Sequence, residues 1–205
     1  MKILVACEES QAVCRAFRAK GHEAYSCDIQ KCSGGHPEWH IMKPVEEVLY
    51  NGWDMLIGFP PCDYLSNAGA RWLHPKGELN QSRYQKGLKA REFFMMLYNA
   101  PIKHICIENP TPSRIYNLPE PSQTIQPYQF GHPYSKRTNL WLKRLPALKK
   151  TKILDKFEPY INTKSQRNTK AKSNKKLRSK TFEGVALAMA DQWSEPKYEE
   201  QLTLF

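Results

Sequence analysis

A cysteine behind two prolines and a glutamate at the end of a later apolar run are the residues of this chain best suited to covalent chemistry. Cys62 closes Gly58-Phe59-Pro60-Pro61-Cys62, and Glu108 opens Glu108-Asn109-Pro110. Consecutive prolines fix φ and stiffen a turn, so they set where the following thiol points. A thiolate is a strong nucleophile toward an electron-poor centre, and a carboxylic acid facing it can supply a proton as addition proceeds. Such an acid must stay neutral near pH 7, which burial achieves by raising its pKa. Taken alone, Pro-Pro-Cys reads as a buried structural thiol. The second motif is what gives it chemical meaning.

Both motifs need elements to position them. Residues 2–7 form a short apolar run suited to a buried strand, and 11–20 place Ala12, Val13, Ala16 and Phe17 at helical spacing. Gly21 ends that helix, and 22–28 reads as a second strand closing on Asp28. Residues 32–42 contain Gly34, Gly35 and Pro37 and read as a loop, and 45–50 as a short helix. A strand over 53–59, a long loop, a helix over 79–100 and a strand over 103–108 follow. A further strand is expected at 138–142, and a helix at 181–193. Strands alternating with helices predict an α/β fold with a doubly wound, mostly parallel sheet. Ligands of such sheets bind beyond the carboxyl ends of the strands, where Asp28, Cys62 and Glu108 all fall. The expected organisation is a catalytic core over 1–147, a basic loop or reduced recognition segment over 148–180, the returning helix, and a tail over 194–205.

The chain carries 31 Lys and Arg against 20 Asp and Glu, a net charge of +11. Eight of those basic residues, and no acidic one, lie between Lys164 and Lys180. A clustered charge with no apolar face beside it favours nucleic acid over a membrane surface, with Lys164, Arg167 and Lys170 as phosphate contacts. No stretch is apolar for long enough to cross a bilayer, and Glu8 and Glu9 come too early for a signal peptide. The six cysteines are spread through apparent strands and helices like reduced thiols, which predicts a cytoplasmic protein. Cys27, Cys32, His36 and His40 form an array looser than common zinc modules, so no metal is expected there. The loop carrying them is expected over the active site, with Trp39 available to stack.

The order and spacing of the two motifs, with Ser66-Asn67-Ala68-Gly69 after the first, resemble the central segments of the cytosine-5 DNA methyltransferases. The resemblance implies a Rossmann-like fold that binds S-adenosylmethionine and transfers its methyl group to cytosine in DNA. Cys62 is then the nucleophile at carbon 6 and Glu108 the proton donor at nitrogen 3. Ile3-Leu4-Val5-Ala6-Cys7 through Asp28-Ile29 is similar to the family's cofactor-binding start, which implies that Cys7, Glu8, Asp28, Ile29, Gly58 and Pro60 hold the cofactor. Gly131-His132-Pro133-Tyr134-Ser135-Lys136-Arg137 resembles the segment whose arginine contacts the extruded base, and so nominates Arg137 as catalytic. Pro61, Ser66, Asn67, Asn109 and Lys136 are implied as substrate contacts. Gly184-Val185-Ala186-Leu187-Ala188 is similar to the final helix beside the cofactor pocket.

Three features depart from the family pattern. The glycine-rich turn after the first strand is Cys7-Glu8-Glu9-Ser10-Gln11, Glu-Asn-Val is Glu-Asn-Pro, and the large target-recognition region is replaced by 148–180. These leave open the same thiolate chemistry on RNA or a free nucleotide, or a DNA-binding protein that has lost its cofactor. The last residues, Gln201-Leu202-Thr203-Leu204-Phe205, resemble the peptide that docks bacterial proteins on the DNA sliding clamp. Gln201, Leu202, Leu204 and Phe205 would make that contact. A small enzyme of a phage or mobile element is the expectation that joins these readings.

Overall fold

The computed structural model describes residues 1–160 and 180–195. Among these residues, nine strands and three α-helices follow in chain order: β1 (Lys2–Ala6), α1 (Ala12–Ala19), β2 (Glu23–Cys27), β3 (His40–Ile41), β4 (Met55–Gly58), α2 (Gln81–Tyr98), β5 (His104–Asn109), β6 (Gln123–Ile125), β7 (Tyr134–Ser135), β8 (Thr138–Lys143), β9 (Glu158–Pro159) and α3 (Glu183–Trp193). Seven strands make one sheet in the order β3-β2-β1-β4-β5-β8-β6. The first five are parallel, and β8 runs antiparallel to both β5 and β6. The fold is α/β with a mostly parallel mixed sheet, compatible with a Rossmann-like arrangement.

The burial pattern explains why a parallel sheet forms here. A strand covered on both faces needs apolar side chains at every position. β1 supplies them: Ile3 and Val5 enter one core while Leu4 and Ala6 enter the other. The first core is closed by Val13 and Phe17 of α1 with Val185, Met189 and Trp193 of α3. The second is closed by Phe94 and Leu97 of α2 with Trp141 and Tyr116. Trp141 meets Phe94 edge to face at 5.0 Å and donates its indole N–H to the Pro119 carbonyl at 2.7 Å, so its polar handle is satisfied. Asn80 caps α2 by accepting from the Arg83 N–H, and Gly21 leaves α1 at φ +80°.

The parallel register brings Cys7, Asp28, Phe59 and the end of β5 to one edge, since Ala6 pairs with both Cys27 and Gly58, and Gly58 with Ile107. Several expected bounds shift. The loop over 32–42 contains a 3-10 turn at Pro37–Trp39 and the two-residue β3, and 45–50 holds only a 3-10 turn at Val45–Glu47. Three-residue β6 and two-residue β7 and β9 are too short to show a period. The start of the 148–180 segment is ordered by backbone pairing. Thr151 and Lys152 N–H donate to Gln129, Gly131 N–H to Lys152, and β9 pairs in parallel with β7. This small lobe folds back on residues 126–135. No helix among the described residues is long and apolar enough to cross a membrane.

Candidate active site

Cys62 is held by the segment that follows β5. Gly58 ends β4 where a side chain would lie 2.9 Å from the Ile107 methyl of neighbouring β5, so a larger residue would make that methyl shift. The chain then turns through Pro60 and Pro61, and the Cys62 carbonyl accepts from the N–H groups of Leu65 (3.2 Å) and Ser66 (3.0 Å). From the other side Asn109, 1% exposed, donates its amide to the Pro60 carbonyl at 3.0 Å. Asn67 N–H donates to Thr111, Ser113 N–H donates to Leu65, and Ser66 bridges Pro112. Arg83 of α2 reaches the Asp63 carbonyl at 2.9 Å. The two sequence motifs therefore form one laced unit. Asn109, expected to contact substrate, also holds the Cys62 loop through the Pro60 carbonyl.

Beside this unit lies a cleft whose polar wall is Glu108, Lys136, Thr138 and Lys180 and whose apolar wall includes Phe59 and Phe182. Burial pushes the Glu108 carboxyl above the usual carboxylate range, against the pull of the Lys136 ammonium and a hydrogen bond from Thr138. Burial also raises the Cys62 thiol, and the Glu108 and Asp63 charges raise it further, with Lys136 opposing them. Cys62, Glu108 and Lys136 thus share one electrostatic neighbourhood. Arg137 is exposed and does not line the cleft, whereas residues 136 and 138 on either side of it do. Extended backbone sends neighbouring side chains to opposite faces, so only one of the two adjacent basic residues can look inward. Thr138 and Phe182 escaped sequence reasoning, although alternation from Lys136 would have found the first.

The other end of the crevice is built differently. Cys7 (φ 59°) and Gln11 (φ 57°) take the left-handed conformations that glycine favours, so the turn keeps its shape without glycine. The Glu8 carboxylate accepts from the Val13 N–H at 2.7 Å and the Cys14 N–H at 3.2 Å, capping α1 from within. Burial outweighs those bonds and raises its pKa to about 7. Asp28 accepts from the Gln30 N–H, and Ile29 is 73% exposed. Burial raises the Cys7 thiol, with the Asp28, Cys27 and Glu46 charges adding to it, which places Asp28 and Glu46 near Cys7. Neither this turn nor Asp28 lines the cleft that contains Glu108.

The loop after β2 closes on the turn after β1 and not on the Cys62 side. Gln11 donates to the His36 carbonyl at 2.7 Å and to Ser26, accepts from the His36 N–H, and leaves no room for a side chain at Gly34. Trp39 is stacked on His36, with ring centroids 3.8 Å apart, and the Arg18 guanidinium lies 5.1 Å from it. Cys27 donates to Lys43, and the His40 ring nitrogens face Ser26 and the Gln30 carbonyl. Among the described residues no metal-holding group of His, Cys, Asp and Glu forms, and all six cysteines are free thiols. Lys164, Arg167, Lys170 and the tail residues Gln201, Leu202, Leu204 and Phe205 lie outside the described residues. No protein-family model matches this chain, and no curated protein matches it.

Proposed function

We propose that this chain is a cytosine-5 methyltransferase acting on DNA through a covalent bond to Cys62. The observation that carries the reading is the lacing of the Cys62 loop to the end of β5, which sets a thiol beside a carboxyl of raised pKa at the carboxyl edge of a parallel sheet. A target base extruded from the helix would enter the cleft between Phe59 and Phe182. Cys62 sulfur bonds to carbon 6, the ring electrons move toward nitrogen 3, and the Glu108 proton moves onto that nitrogen. Burial, by raising the Glu108 pKa, favours the protonated form that this step uses. Carbon 5 is then electron-rich and accepts a methyl group. Loss of the carbon 5 proton to a base returns the electrons that expel Cys62, and nitrogen 3 gives its proton back to Glu108. Lys136, beside both groups, favours the thiolate.

The methyl donor suited to this crevice is S-adenosylmethionine, which would supply an electrophilic methyl on a sulfonium. The residues present fit such a cation better than a dinucleotide. A pyrophosphate needs free N–H groups at the helix following β1, and those of Val13 and Cys14 are already bonded to Glu8. Asp28 and Glu46 add negative charge at the same edge, which repels phosphate and attracts a sulfonium and an ammonium. Asp28 would hold the ribose hydroxyls. Nucleoside mass spectrometry of DNA treated with the protein and S-adenosylmethionine tests the reading. New 5-methyldeoxycytidine with wild type and none with Cys62→Ala is the expected result. An active Cys62→Ala protein, or product confined to RNA, would overturn it.

A further inference from the structure

The small lobe over 149–160 carries features the catalytic cleft does not use. Phe157 lies face to face on Tyr128, with centroids 4.0 Å apart and planes 8° off parallel, yet remains 48% exposed. An apolar ring with one face backed by a second ring and the rest open to water is a surface prepared for another flat partner. The lobe is cationic: residues 149–160 contain four basic and two acidic side chains, and Lys150, Lys152 and Lys156 are exposed. The lobe sits at the rim of the cleft, because Tyr128 follows cleft-lining Pro127, and Tyr160 packs against cleft-lining Phe182 at 4.8 Å. Phe157 and Tyr160 are three steps of extended chain apart, about 10 Å.

We propose that this lobe is a binding platform for an unpaired nucleic-acid strand, with Phe157 stacked on a base flanking the target and Lys152 and Lys156 on its phosphates. Stacking platforms framed by cations are how proteins hold single strands without reading base edges. The lobe's only regular structure is the pairing of β7 with β9, two residues each, and it offers no helix to enter a major groove. The platform's placement rests on the proposed function only in taking the cleft as the site of a target base.

Fluorescence anisotropy with a short unpaired DNA oligonucleotide, its RNA counterpart and the matching duplex tests the platform. Phe157→Leu keeps apolar bulk under the lobe but removes the aromatic face, and Phe157→Trp keeps both. The expected result is tighter binding of the unpaired DNA or RNA strand than of duplex, a loss of about fivefold or more in Phe157→Leu, and wild-type affinity in Phe157→Trp. The thermal midpoint should be unchanged in both. Lys152→Gln with Lys156→Gln should flatten the salt dependence by about 0.7 per lost contact. Equal affinity of wild type and Phe157→Leu for the unpaired strand, or a preference for duplex, would overturn the platform. Methyl transfer is read separately. Binding that depends on Phe157 without any transfer would sink the proposed reaction and leave the platform standing.

Discussion

The two ends of the crevice solve the same geometric problem with opposite chemistry. At the Cys62 end, loop and strand are tied by backbone bonds and one buried amide, and Glu108 and Lys136 line the cleft beside them. At the Glu8 end, the titratable group is itself the tie, because its carboxylate is spent on the first N–H groups of α1. Charge that serves structure is unavailable for chemistry. The comparison teaches that Glu8 shapes the crevice, whereas Glu108, held by one hydrogen bond from Thr138, lines the cleft.

Breaking the reactive end should have the largest effect. Cys62→Ala removes the only sulfur in the laced loop and should take methyl transfer below detection while the thermal midpoint stays unchanged, as checked by a radiolabelled transfer assay and calorimetry. Glu108→Gln keeps size and hydrogen bonding but loses the proton, so the transfer rate should fall by about 10²–10⁴. Lys136 holds the Cys62 thiol pKa down. Alkylation of Cys62 by iodoacetamide, followed by peptide mass spectrometry, should therefore slow several-fold in Lys136→Gln.

The structural end should answer to pH in stability instead. The Glu8 pKa rises on folding from 4.5 to about 7, so its contribution is full below pH 4.5 and is lost as pH climbs through about 7. Thermal midpoints of wild type should fall across that window, by up to about 3 kcal/mol of stability, more steeply than those of Glu8→Gln. The smallest effect is expected from Arg137→Ala, whose side chain is exposed. Transfer should change by less than about threefold, well short of Lys136→Gln. A larger loss in Arg137→Ala would return the catalytic cation to that position.

Much of the core was legible in the sequence because the signals were local. The apolar runs of β1, β4 and β5 and the pattern of α1 need no partner to be recognised, and the Cys62 and Glu108 motifs fall at their ends. What stayed hidden depends on distant pairing. That the Glu8 carboxylate bonds the first N–H groups of α1 is seen only once Val13 and Cys14 are folded onto it. That Asn109 ties the Cys62 loop is seen only once Pro60 is brought beside it. The lobe over 149–160 has no period of its own and is ordered by Gln129, Gly131 and β7. Lys136 and Arg137 are indistinguishable in composition, and only strand direction separates them.

The buried amide that holds the Pro60 carbonyl also bears on how this molecule ages. Asparagine side chains deamidate spontaneously when the next residue's backbone nitrogen attacks the side-chain carbonyl and closes a five-membered imide. Residue 110 is proline, whose nitrogen has no hydrogen to lose and cannot close that ring. Conversion of Asn109 to aspartate would replace its donor with an oxygen facing another oxygen and release the loop. The Glu-Asn-Pro order therefore blocks the commonest chemical route by which time alone would release the Cys62 loop.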